Sequence, residues 1–127
     1  MIHTWSVVCS QAILDAETHN YSLINVLEQI TFGVAENSNL PENAGIIVPF
    51  AVISAWVRSD SHIPERANGR VVFQSPSGEE LLTQGFVIDL SENSRFKSLG
   101  KGEGLPFRGS GIYAFLIQRF DEENQEW

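Results

Sequence analysis

Residues 46–58 read Ile-Ile-Val-Pro-Phe-Ala-Val-Ile-Ser-Ala-Trp-Val-Arg, a run that is apolar on both faces from Ile47 to Val57. In an extended chain successive side chains point to opposite sides. Such a strand therefore lies in the middle of a sheet covered on both sides, or its outer face meets something else. Pro49 has no N–H to give to a ladder, so it belongs at the start of this strand or at a bulge. Pro49 and Ser54 also break the run, which falls short of the roughly 20 apolar residues of a membrane helix.

Other segments repeat the theme. Residues 4–14 place Trp5, Val7, Cys9 and Ile13 on one side, and after the polar turn from Asp15 to Asn20 a second strand is expected over 21–32, with Ile24, Val26, Ile30 and Phe32 in register. A helix over 23–30 fits the spacing of Leu23, Val26, Leu27 and Ile30, but the β-branched content and the missing cap favour a strand. Residues 33–43 form the longest expected loop, and 59–69, with the turn pair Asn68-Gly69, another connection. Ser75-Pro76-Ser77-Gly78 predicts a hairpin between strands at 70–74 and 81–90, because Pro presets φ and Gly supplies a positive one. Gly85 suggests a bulge. A strand at 95–99, a glycine-rich loop and a strand at 112–120 follow. In the last of these, Tyr113, Phe115 and Ile117 are expected to face the core.

Seven to eight short strands without a strong helix predict an all-β, single-domain antiparallel β-sandwich, immunoglobulin-like or related. Cys9 has no mate, so the disulfide framework of antibody domains is missing. A chain of 127 residues supports one core, expected over 1–120, followed by an acidic tail over 121–127 with no strand pattern, which is expected to fray.

Ser6-Val7-Val8-Cys9, the segment Asn20-Tyr21-Ser22-Leu23-Ile24-Asn25-Val26 and the closing Gly111-x-Tyr113-x-Phe115 strand resemble a bacterial family of small, functionally uncharacterised β-sandwich proteins. The resemblance spans most of the chain, implies the sandwich and transfers no catalytic residue.

Sixteen acidic against eight basic residues give a net charge of -8, which opposes binding to nucleic acid and to anionic membranes. The chain opens without a basic, apolar leader, and its one cysteine forms no internal disulfide, so a cytoplasmic location is expected.

Few residues suggest chemistry. His3, His19 and His62 lack a paired metal spacing, and Cys9 on an apolar strand face reads as a core thiol rather than a nucleophile. No Gly-x-Ser-x-Gly elbow occurs, and Lys101-Gly102-Glu103-Gly104 is not a phosphate loop. Asp60, Asp89 and Glu92 fall at strand ends where calcium could gather, without the dense Asp/Asn/Gly loop pattern. No catalytic residue, metal ligand or cofactor is therefore expected.

One uneven feature stands out. Arg95, Lys97, Lys101 and Arg108 supply four of the eight basic residues within a glycine-rich stretch whose only acid is Glu103. Loop amides with these cations could hold a phosphate or carboxylate. The plainer role is to pair with the acidic tail or to guard a sheet edge. The expected function is a non-catalytic binding or interaction module whose partner is a protein or an anionic ligand. An enzyme with a site assembled from distant residues and a structural subunit of a larger assembly are the alternatives. A homodimer is expected if the 46–57 strand lies at an edge or shows its second apolar face.

Overall fold

The structure, a computed structural model, describes residues 1–30 and 44–127. Among them are seven strands: β1 (Ile2–Leu14), β2 (Tyr21–Val26), β3 (Gly45–Val57), β4 (Glu65–Gln74), β5 (Glu80–Leu90), β6 (Arg95–Pro106) and β7 (Ala114–Arg119). They form two antiparallel sheets, ordered β2-β1-β3-β6 and β5-β4-β7. The four-plus-three division matches the immunoglobulin plan in number, whereas the order of strands is different. The second strand, expected over 21–32, ends at Val26, with residues 27–30 outside any strand and Ile30 41% exposed; residues 31–32 and the 33–43 loop lie outside the described residues.

The both-face apolar run is central, with β1 on one side and β6 on the other, and every residue from Ala51 to Trp56 is buried. Two different layers cover it. Toward the second sheet, Trp56 packs with Ile88, Leu90, Phe86 and Ile117, and Phe50 meets Phe115 at 5.5 Å. The indole Nε1 of Trp56 donates to Ser54 Oγ at 2.9 Å, and Ser54 in turn bonds Ser98, so the polar atoms in this layer are paired. On the opposite face, Cys9, Ala12, Ala51 and Ile53 form a separate buried cluster with Tyr21, Leu23 and Leu99 against it.

This outer cluster depends on a fold in the β1–β2 hairpin. Cys9 pairs with Val26 and Gln11 with Ile24, and between them Asn25 takes a left-handed φ of 57° while its amide donates to Ser10 Oγ at 2.8 Å. Asparagine tolerates that conformation better than most residues. The distortion switches the inward face, so Ala12 joins Cys9 in the core and Ile13, expected there, is 46% exposed. On β2 the expected face is reversed as well: Tyr21 and Leu23 pack inward and Ile24 and Val26 are exposed. Tyr21 pairs with Leu14 at the hairpin's far end, yet its ring lies 5.7 Å from Lys97 Nζ on β6, so the hairpin reaches across the sheet.

Several boundaries differ from expectation for one reason, the use of glycine inside strands. Asn68-Gly69 is no turn but the middle of β4, where the Phe86 ring of the paired strand lies 2.6 Å from the place a Cβ of residue 69 would occupy. The same device recurs in the other sheet, where the Phe50 ring covers Gly102. Aromatic rings laid over cross-strand glycines restore the packing that glycine lacks. The expected glycine-rich loop after Leu99 is thus β-strand through Gly100, Gly102 and Gly104. Gly100 also admits the Gln84 amide, whose Oε1 lies 2.9 Å from a Cβ built there, where the β5 and β6 edges of the two sheets meet. Gly85 keeps regular register, and the bulge on β5 lies instead between its pairings with Phe73 and Gln74. Pro49 does sit at a bulge, between Ile47 and Phe50, and Gly78 makes the hairpin turn with φ of 89°.

The tail is ordered rather than frayed. Phe120 N donates to Asn68 O at 2.9 Å, and Asp121 and Glu126 form an isolated antiparallel bridge. Trp127 returns to stack edge-on to Phe120 at 5.2 Å and to lie 4.6 Å from the Arg70 guanidinium. The side chain of Asn124 and the amides of Asn124 and Glu123 hold the Asp121 carboxyl below the usual aspartate range. That stabilisation is present above the unfolded pKa and is lost as pH falls through the lowered one.

Two outcomes follow for stability. Gly69→Ala should lower stability by about 1–3 kcal/mol through overpacking against Phe86. Gly85→Ala, where the nearest atom is Gly69 O at 3.9 Å, should change far less, as urea denaturation of the pair will show. Truncation after Phe120 removes a cation–π and an aromatic contact and should lower the thermal midpoint by about 3–6 °C.

Candidate functional site

The candidate site lies on the outer face of the β6 edge strand. Register from Phe50↔Gly102 to Val57↔Arg95 is unbroken, so Arg95, Lys97, Leu99 and Lys101 share one side of β6, opposite the buried Ser98 and half-buried Phe96. Leu99 turns into the outer cluster and anchors the strand. Arg95, Lys97 and Lys101 are exposed, and among the described residues no carboxylate lies within ion-pair distance of them. At two residues per repeat, Arg95 and Lys97 are spaced by about 7 Å and Lys97 and Lys101 by about 13 Å. Lys97 is further placed by the Tyr21 ring.

Arg108 does not belong to this row. It follows β6, its backbone N donates to Tyr113 OH at 2.7 Å, and its Nε lies 4.0 Å from Glu79 on the β4–β5 hairpin. Residues 100–102, expected in a glycine-rich loop, are β-strand paired with β3, so they form no loop of convergent amides. The acidic tail turns onto Arg70 of the second sheet rather than onto the row.

Beside Lys101 the surface opens into a cleft of about 330 Å³ that was not foreseen. Its lining includes Ala12, Pro49, Phe50 and Ala51, with Gln11 from the folded hairpin and Lys101 and Glu103 from β6, while the Phe50 ring itself packs on Phe115 of the second sheet. Two irregularities create it: the Pro49 bulge, which separates β3 from β6 register, and the switch at Asn25, which swings the hairpin over the sheet. Pro49 signalled the first, whereas a left-handed asparagine inside a strand leaves no local signal.

The remaining candidates are engaged structurally. Asp60 accepts from His62 N and Asp89 from Ser91 N, each at 2.9 Å, and the Ser91 hydroxyl and amide hold the Asp89 carboxyl below the usual range. Glu92 is exposed, and among the described residues no cluster of three His, Cys, Asp or Glu could hold a metal. His19 occupies the turn with φ of 57°. The His3 ring lies tilted against Trp56 at 4.8 Å between centroids, and its Nε2 is 2.6 Å from Ser6 Oγ, an exposed contact. No helix among the described residues is long and apolar enough to cross a membrane.

Comparisons of the chain with protein-family models, with curated proteins and with solved structures find no match.

Cys9 is fully buried, and burial pushes its thiol above the usual range while Sγ donates to Gln11 O at 3.3 Å. Native protein should therefore react with a thiol reagent at least about a hundredfold more slowly than urea-unfolded protein, since only the exposed thiolate attacks. Equal rates would mean that the hairpin does not cover the sheet.

Proposed function

We propose that this chain is a non-catalytic binding module that holds an anionic partner on the outer face of β6. The observation that carries this reading is the row Arg95, Lys97 and Lys101: three exposed cations on one strand face, with no carboxylate paired to them among the described residues, in a chain of net charge -8. Exposed like charges held in a row repel one another, and a bound anion relieves that repulsion while gaining charge-assisted hydrogen bonds. The strand is rigidly paired with β3, so the cations are presented without a loop having to order on binding.

β3 is central, and from Ala51 to Trp56 it is buried on both faces, so this part of the strand offers no surface for a dimer, whereas Ile47 near its start is 93% exposed. Edge protection is the competing role for the row, and the two make different predictions. The double variant Lys97→Glu/Lys101→Glu should keep its fold, as both side chains are exposed, and should weaken binding of a labelled glutamate-rich peptide by about tenfold or more at low salt. Wild-type affinity should also fall as salt rises. A folded variant that binds as wild type, measured by fluorescence polarisation, would reduce the row to an edge guard.

A further inference from the structure

The row and the cleft are continuous, and Lys101 belongs to both. Read along one side of β6, the surface presents Arg95, Lys97, Leu99, Lys101 and then Glu103, over about 26 Å of extended strand. The cationic end is polar and open. The other end leads to a cleft of mixed lining in which the exposed Pro49 stands beside the stem of Lys101 and the side chain of Gln11, with a single carboxylate, Glu103, at its rim.

We infer that, if the anionic-partner reading above holds, the occupant is an extended acidic peptide segment anchored by one apolar side chain. Its carboxylates lie over Arg95 and Lys97, and its anchor enters the cleft beside Lys101. An extended peptide presents alternate side chains to one side at about 7 Å, which is the spacing of Arg95 and Lys97. The cleft, near the lower end of the range for small-ligand pockets, accommodates an aromatic or branched side chain. Glu103 at the far rim fixes the direction, because it repels a carboxylate placed at the anchor end. The same residue, together with the net charge of -8, disfavours a continuous polyanion such as nucleic acid or polyphosphate.

The test compares two labelled peptides of the same length by fluorescence polarisation. Both carry alternating glutamates; one has phenylalanine four residues beyond them and the other glycine in its place. The anchored peptide should bind about tenfold tighter, the gain expected when most of a phenylalanine leaves water. Gln11→Trp, at an exposed position on the cleft wall, should abolish that difference by filling the cleft while leaving binding of the glycine peptide intact. Equal affinity of the two peptides for the wild-type chain overturns the anchor but leaves the anionic reading standing. Polyphosphate that binds as tightly as the anchored peptide overturns it in favour of a general anion site. Loss of neither peptide on Lys97→Glu/Lys101→Glu substitution removes the anionic reading itself, and with it this inference.

Discussion

A strand that is apolar on both faces must be covered twice, and the architecture of this chain follows from how it meets that demand. The second sheet covers the Trp56 face of β3. A three-stranded sheet supplies one layer only, so the Ala51 and Ile53 face is closed by the chain's own β1–β2 hairpin, which turns over at Ser10 and Asn25 and lays Ala12, Tyr21 and Leu23 against it. Each further irregularity serves that arrangement. The Pro49 bulge releases the end of β3, and Arg58 at its other end ties the sheets together, donating to the carbonyls of Leu90 and Ser91 at 2.8 and 2.9 Å.

How much of this was legible depends on whether a signal is local. The Ser75 to Gly78 turn and the bulge at Pro49 are written in adjacent residues and are found where the pattern puts them, whereas the alternation of β1 and β2 names the strands but not their inward faces, which the left-handed Asn25 reverses. Gly69, Gly100 and Gly102 mislead, because a glycine that breaks a strand and a glycine that makes room for a facing side chain look alike until the partner is known. Trp127 misleads for the same reason: its partners, Phe120 and Arg70, include one that lies 57 residues away in sequence. Of the four basic residues, the alternation of β6 groups Arg95, Lys97 and Lys101, while the strand's end sends Arg108 elsewhere. The cleft was illegible, since it exists only where the hairpin crosses the sheet.

The charge distribution gains meaning from the fold. Half of the basic residues lie between positions 95 and 108, but the structure divides them between a row without carboxylate partners among the described residues and a cation paired across to Glu79. The acidic tail, which could have neutralised the row, is held on the opposite sheet by an aspartate-closed turn and a terminal indole. Surface charge is usually well solvated and nearly neutral in its effect on stability. Unneutralised charge fixed on a rigid strand is better suited to recognition than to holding the fold.

The wiring of the sheets also sets an order of events for a chain that folds. Only β1 with β2 and β4 with β5 are paired with their immediate neighbours in sequence; β1 must await β3, β3 must await β6, and β4 must await β7. Pairings between remote segments close large loops before they gain contacts, which places topologies of this kind among the slower folders. The two hairpins are thus the segments able to form early. The first of them carries the layer that will later shield Ala51 and Ile53, so from synthesis until β3 docks it exposes an apolar surface whose counterpart has yet to arrive.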